Sequence, residues 1–117
     1  MPQKNKNEDG LKRTINDVEI TDPLVLECGE TLTKHEIIYE TYGELNESRS
    51  NAVLICHALS GNHHAAGLNE TGVRGWWDNY IGPGKPIDTN LFHVISITNI
   101  GSCFGSTGPT TRNKAPG

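Results

Sequence analysis

The stretch that decides the fold of this chain is Ala52-Val53-Leu54-Ile55-Cys56-His57-Ala58-Leu59-Ser60-Gly61. Its first five residues are all apolar. An unbroken apolar run of strand length predicts a β-strand that is buried on both faces, as in the centre of a parallel sheet. The run ends abruptly at His57, where a loop of Ser, Gly, Asn and His begins. We therefore predict a central strand that delivers a polar loop at its carboxyl end.

A second central strand is predicted at residues 92–97, and it too ends in a polar, glycine-rich loop, residues 98–108. The 35 residues between the two strands suffice for the crossover that parallel neighbours require. Within this connection only Gly75–Ile81 has helical character. Ligands of open α/β sheets bind at the carboxyl edge of the strands, so the position of both loops indicates where a site lies.

The N-terminal part predicts a disordered tail followed by a hairpin. Residues 1–14 are rich in Lys, Asn, Glu and Asp and bury too little apolar surface to offset ordering entropy. We extend this tail to residue 20 and place the domain over residues 21–117. Two β-prone runs, Leu24–Cys28 and Glu36–Tyr42, flank a Gly-Glu turn and predict an antiparallel hairpin.

Composition excludes several classes of protein. The chain has 117 residues, 34% of them apolar, and a net charge of −4 with no basic run longer than two residues. Nucleic acid is therefore not an expected partner, because phosphate binding needs clustered positive charge. No apolar stretch approaches membrane-spanning length, and no secretory signal is present. Three widely spaced cysteines favour a reducing, cytoplasmic location.

Neither a metal nor a nucleotide cofactor is predicted. His57, His63 and His64 are accompanied by no HExxH or CxxC motif, and adjacent histidines in an extended segment point to opposite faces. We interpret His57 as a structural histidine rather than a general base. The glycines of residues 101–109 match neither nucleotide-binding fingerprint, and no base is identified beside Cys103.

From its own residues the His57–Gly61 loop has two interpretations. One is an ordinary strand-end loop. The other is a backbone oxyanion donor for acyl transfer, as in the loop after the third strand of α/β-hydrolases. Backbone N–H groups suit that role because they need no reorganisation as charge develops, and small residues allow close approach of the substrate.

Five motifs in series narrow this choice. They are Tyr39–Asn46, Asn51–Gly61, Gly75–Asp78, Ile81–Thr89 and Gly105–Pro109. In order and spacing they resemble the homoserine O-acyltransferase family of methionine biosynthesis, and the resemblance runs from about Leu26 to the C-terminus.

The resemblance implies an α/β class and the α/β-hydrolase fold. It implies transfer of an acyl group from acyl-CoA to the hydroxyl of L-homoserine through an acyl-serine, in a homodimer without a further cofactor. The chain contains no G-x-S-x-G elbow. We therefore expect it to be the N-terminal portion of such a domain, truncated before the Ser, Asp and His of the triad and inactive alone.

The resemblance also assigns candidate site residues. The backbone of Leu59 is the expected oxyanion donor, and Ser60, Gly61 and Asn62 are candidate substrate-pocket residues. The sequence His63–Gly67 is closer to the succinyl-transferring branch, but acetyl-CoA and succinyl-CoA both stay open as donors. The alternatives are a serine O-acyltransferase, an esterase of the same fold and a non-enzymatic binding module.

Overall fold

A computed structural model describes residues 3–6, 10–109 and 111 of the chain. Over this part of the chain it contains nine β-strands and no helix. In chain order the strands are β1 (Gln3–Lys6), β2 (Lys12–Ile20), β3 (Leu24–Val25), β4 (Thr31–Leu32), β5 (His35–Tyr42), β6 (Ala52–Ile55), β7 (Ile81–Gly82), β8 (Ile87–Asp88) and β9 (His93–Ile97).

Five of these strands form one mixed sheet in the order β1-β2-β5-β9-β6. β6 and β9 are parallel neighbours, as predicted, and the other pairs in this sheet are antiparallel. β6 is buried on one face only, because Ile55 lies in the core whereas Leu54 is 59% exposed. Within the described residues, the predicted burial of β6 is therefore found on one face and not on the other.

The predicted disordered tail is wrong for residues 12–20, which form β2. This strand pairs with β5 over eight positions, from Arg13 opposite Tyr42 to Ile20 opposite His35. Composition failed here because the strand is stabilised by its ladder and by the buried Arg13 and Leu11, not by a long apolar run. The sheet therefore begins before residue 21. Residues 1–2 and 7–9 of the predicted tail lie outside the described residues.

The predicted hairpin is also wrong. Leu24–Val25 pairs with Thr31–Leu32 in a separate two-stranded ribbon, whereas β5 pairs with β2 and β9. β2 occupies the edge of β5 that the hairpin partner was expected to fill.

The connection between β6 and β9 folds as turns and short extended segments. The predicted helix at Gly75–Ile81 is wrong, because residues 76–80 form turns and Ile81 begins β7. The N–H groups of Gly75 and Trp77 donate to Gly67 O and Ala65 O. The connection packs on one face of the sheet and encloses the core. The buried apolar residues are Leu11, Tyr42, Ile55, Ala65, Ala66, Ile81 and Val94. The described part of the chain contains no helix that could span a membrane.

Candidate active-site loop and its buried anchor

The loop that follows β6, residues 57–66, is called the β6 loop below. Its tip is a β-turn in which Gly61 N–H donates to Ala58 O at 2.8 Å, so Leu59 and Ser60 are the two central residues. The Leu59 side chain is fully exposed at 103%. Among the described residues, the N–H groups of Leu59 and Ser60 have no acceptor. The tip therefore presents two free backbone donors.

Both ends of this turn are attached to adjacent residues that follow β9. His57 Nε2 accepts the N–H of Asn99 at 3.1 Å, while its Nδ1 donates to Ala58 O at 2.6 Å. The N–H of His63 donates to Thr98 Oγ1, and the Thr98 hydroxyl lies 2.7 Å from His63 Nδ1. The two ends of the turn are therefore held by neighbouring residues of one segment. This geometry agrees with the predicted structural role of His57.

A buried hydroxyl holds the C-terminal end of the β6 loop. Tyr42 Oη accepts the N–H groups of Ala65 and Ala66 at 2.9 and 3.1 Å. It donates in turn to Glu40 Oε2 at 2.5 Å. Burial, followed by the charge and hydrogen bond of Glu40, raises the pKa of Tyr42. Tyr42 therefore stays protonated and fixes two successive peptide groups of the loop.

The Glu40 carboxylate is fully buried at 0% exposure and is satisfied by side chains from three segments. Arg13 Nη2 donates to Oε1 at 2.5 Å, and His64 Nδ1 lies 3.1 Å from Oε2. Burial alone would raise the pKa of Glu40, but the hydrogen bonds from His64, Arg13 and Tyr42 outweigh it and lower the pKa. We call Arg13, Glu40, Tyr42 and His64 the buried anchor.

The two adjacent histidines have opposite electrostatic environments. His64 Nδ1 faces Glu40 and its Nε2 lies 2.7 Å from Val73 O, so both ring nitrogens face acceptors and both must carry protons. Burial opposes that charge, yet Glu40 and Val73 O raise the pKa of His64 overall. Burial lowers the pKa of His63, which stays neutral. Among the described residues no three His, Cys, Asp or Glu side chains are grouped to hold a metal ion.

The segment after the loop is locked against Gly75 and Asp78. A Cβ added at Gly75 would lie 2.2 Å from the Ala65 carbonyl carbon and from Ala66 N, so only glycine allows this approach. Asp78 Oδ1 accepts Gly67 N–H at 2.7 Å. Burial raises the pKa of Asp78, but hydrogen bonds from Arg74 and Gly67 lower it overall.

The two tryptophans stack on each other and contact different neighbours. The rings of Trp76 and Trp77 have centroids 5.6 Å apart and planes 15° apart. Trp77 packs on the core, whereas Trp76 is half exposed and its Nε1–H donates to Asn62 O at 2.9 Å. The tryptophan pair therefore contacts the β6 loop on one side.

Three known proteins show what the chain is similar to, although no protein-family model matches it. A homoserine O-succinyltransferase of Ectopseudomonas mendocina (strain ymp) is 62% identical over 99 residues, which are 83% of this chain and 26% of that protein. The crystal structure of a homoserine O-acetyltransferase from Bacillus anthracis is 42% identical, with a TM-score of 0.67, over 75% of this chain and 24% of that one. The crystal structure of esterase E22 is 35% identical, with a TM-score of 0.76, over 87% and 30% of the two chains.

The chain belongs to the homoserine O-acyltransferase family. It spans about a quarter of the length of the curated relatives that it matches. The family resemblance predicted from the five motifs is thereby confirmed. The mixed sheet and its solved neighbours also agree with the predicted α/β class.

The structure brings three of the predicted residues together at one turn. Leu59, Ser60 and Gly61 form its tip. Asn62 is placed differently, because its Oδ1 accepts His64 N–H and its carbonyl accepts the Trp76 indole. Asn62 therefore shapes the loop from within and offers its side-chain oxygen to the backbone rather than to a pocket.

Sequence reasoning missed Arg13, Glu40, Tyr42 and Thr98. One signal was present: Glu40 and Tyr42 are two residues apart on a strand and therefore share a face. Arg13 had no such signal, because its partner lies 27 positions away along the chain. The pairing becomes visible only when the register of β2 and β5 is known.

The glycine-rich loop after β9, residues 98–109, is called the β9 loop. Ser106 Oγ accepts the N–H of Ile38 at 2.9 Å and donates to Thr98 O at 2.6 Å. Thr107 accepts Glu36 N–H through Oγ1 and donates its own N–H to Glu36 O. The hydroxyls of this loop thus complete the edge of β5 where β9 has ended.

Proposed function

We propose that the complete protein that carries this chain transfers an acyl group from acyl-CoA to the hydroxyl of L-homoserine, giving O-acylhomoserine and free CoA. The observation that carries this proposal is the 62% identity to a protein named homoserine O-succinyltransferase. This chain then supplies the first strands of an α/β-hydrolase-type sheet and the loop that faces the substrate. The serine nucleophile belongs to the part of the protein that this chain does not span.

We further propose succinyl-CoA as the preferred donor. The curated relatives at 58–64% identity carry the succinyltransferase name, whereas the solved acetyltransferases are 42% and 30% identical. The test measures thiol release by the complete protein with L-homoserine and each of the two donors, with L-serine as the comparison acceptor. We expect a kcat/KM at least about tenfold higher for succinyl-CoA, a difference of 1.4 kcal/mol in barrier.

Each outcome of this assay has a distinct meaning. A preference for acetyl-CoA would contradict succinyl-CoA as the donor but would still agree with acyl transfer to homoserine. Preference for L-serine contradicts the acceptor. No thiol release with any combination contradicts acyl transfer itself.

The Leu59 N–H is proposed as a backbone donor to the oxyanion of the tetrahedral intermediate, with Ser60 and Gly61 beside the substrate. Its support is the free, outward-facing amide at the tip of the turn. Leu59 occupies the position of a β-turn that favours proline, so Leu59→Pro removes the N–H while suiting the backbone.

In the complete protein, Leu59→Pro should lower kcat by about 10²–10³, the loss typical of one oxyanion donor. Leu59→Ala keeps the N–H and removes only an exposed side chain, so its loss should be several-fold at most. Equal kcat values for the two variants would contradict a role of this amide.

An esterase is the second candidate function. It is favoured by the TM-score of 0.76 to esterase E22, which exceeds the 0.67 to the Bacillus acetyltransferase. Hydrolysis and transfer stabilise the same oxyanion, so the β6 loop serves either reaction. Release of p-nitrophenol from p-nitrophenyl acetate that outruns CoA-dependent transfer would favour the esterase.

Residues 1–117 alone are expected to be inactive, because an oxyanion donor without a nucleophile gives no covalent route. Thiol release by this polypeptide above the buffer rate would contradict that expectation. The family resemblance also supports a cytoplasmic homodimer with no cofactor, in which acyl-CoA is a co-substrate. Light scattering of the complete protein tests the dimer.

A further inference from the structure

The buried anchor is a charged cluster that the proposed reaction does not use directly. Glu40 and Tyr42 are completely buried, and Arg13 and His64 nearly so. Ion pairs in such places rarely improve stability over apolar side chains of similar size, because desolvation offsets their attraction. Packing alone therefore does not explain why this region of the core is ionic.

The buried anchor fixes the position of the backbone in the β6 loop. Tyr42 Oη holds two successive amides, those of Ala65 and Ala66, and Glu40 orients that hydroxyl. His64 joins Glu40 to the carbonyl of Val73 on the opposite segment. The peptide that carries Leu59 lies within the same loop, between this attachment and the His57 attachment.

We propose that Glu40, Tyr42 and His64 are positioning residues for acyl transfer, which fix the Leu59 turn from within the core and contact neither substrate. This inference rests on the proposed function. Misplacing a catalytic group by about 1 Å can cost about 10²-fold in rate, so a device that fixes the turn acts on kcat. It should leave the binding of either substrate nearly unchanged.

The sharpest test replaces Tyr42 by phenylalanine in the complete protein. Tyr42→Phe keeps the ring and removes the acceptor of the Ala65 and Ala66 amides. Tyr39→Phe is the matched control, because it removes a hydroxyl from the same strand on the opposite face. We expect Tyr42→Phe to lower kcat about 10–100-fold with each KM within about threefold, and Tyr39→Phe to match the wild type.

A second test uses the charge on His64. Four other groups surround the pair of His64 and Glu40. Arg13 from β2 and Tyr42 from β5 bond to Glu40, and the His63 ring lies near it. Glu70 bonds to the guanidinium of Arg13. When the imidazolium deprotonates, one ring nitrogen loses its proton, so His64 can no longer donate to both Glu40 and Val73 O. In the wild type, kcat should therefore decline as the pH rises above neutral.

His64→Gln should lower kcat at neutral pH and abolish this decline. His93→Gln should keep it, because the His93 ring bonds only to the Gly43 carbonyl among the described residues. Persistence of the decline in His64→Gln would overturn the assignment of His64.

The outcomes separate this inference from the proposed function. If the wild type transfers no acyl group, that measurement alone contradicts the proposed function. If the wild type is active and Tyr42→Phe keeps its kcat, positioning is wrong. The same holds if Tyr42→Phe loses activity only in proportion to its loss of folded protein, since the buried anchor is then a structural element alone.

Discussion

The β6 loop and the β9 loop both follow parallel strands but differ in what they do with their polar groups. The β6 loop contains one Gly and one Ser, whereas the β9 loop contains three Gly and two Ser. In the β9 loop the hydroxyls of Ser106 and Thr107 are used on the edge of β5. In the β6 loop the ends are fixed by buried side chains, and the amides of Leu59 and Ser60 stay free among the described residues.

The difference teaches that glycine and serine content does not identify a functional loop. A loop whose hydroxyls pair with the edge of the sheet, as Ser106 and Thr107 do, completes the fold. A loop that is held at its ends and leaves donors free at its tip is able to bind a developing charge. The buried anchor is what allows the β6 loop to be both rigid and open at its tip.

The largest expected effect comes from breaking the buried anchor at Glu40. Glu40→Ala leaves Arg13 and His64 without their buried partner, so the free energy of unfolding should fall by about 3–5 kcal/mol. Glu47→Ala, at an exposed position, should change it by less than about 0.5 kcal/mol. Urea unfolding of the complete protein measures both. A loss below about 1 kcal/mol for Glu40→Ala would mean that the buried charges have other partners.

The next effect tests the close approach that supports the β6 loop from outside. Gly75→Ala places a Cβ against the backbone at Ala65 and Ala66 and should destabilise by about 3 kcal/mol, since the backbone must move. Gly84→Ala meets no atom within 4 Å and should lose only about 1 kcal/mol, from its positive φ of 73°. Equal losses would contradict a tight contact at Gly75.

The third effect separates the loops by function. Ser106→Ala leaves the Ile38 N–H without its acceptor and should lower the free energy of unfolding by about 1–3 kcal/mol. Because Ser106 reaches the β6 loop only through the backbone carbonyl of Thr98, kcat per folded molecule should fall much less than in Tyr42→Phe. Ser48→Ala removes an exposed hydroxyl and should alter neither quantity. A fall in kcat for Ser106→Ala as large as that for Tyr42→Phe would place the β9 loop in the reaction.

The sequence predicted the elements that local pattern determines. The apolar runs at residues 52–56 and 92–97 correspond to β6 and β9, and the motif series identified the family. It failed at β2, because a strand poor in apolar residues is stabilised by a ladder to a distant partner. It failed at Gly75–Ile81, because the segment forms consecutive turns that are tied to residues 64–67 and ends in β7 rather than continuing as a helix.

The same distinction between local pattern and pairing with distant residues explains which parts of the site could be predicted. The turn at Leu59 is local in sequence and was predictable as a candidate. The buried anchor unites residues from β2, β5 and the β6 loop, so it depends on strand register that a single sequence does not reveal.

The smallest expected effect is the pH dependence of stability, in which the loops again differ. The pKa of Glu40 is lowered, so its contribution is present above its ordinary value of 4.5 and is lost as the pH falls through the lower folded value. The pKa of His64 is raised, so its contribution is complete below 6.5 and is lost as the pH rises through the higher folded value. The urea midpoint should therefore decline on both sides of the interval between them.

Ser106→Ala, which removes no titratable group, should lower the urea midpoint at every pH without changing the shape of the profile. His64→Gln should remove the alkaline decline. An alkaline decline that survives in His64→Gln would show that the β6 loop is held by another charge.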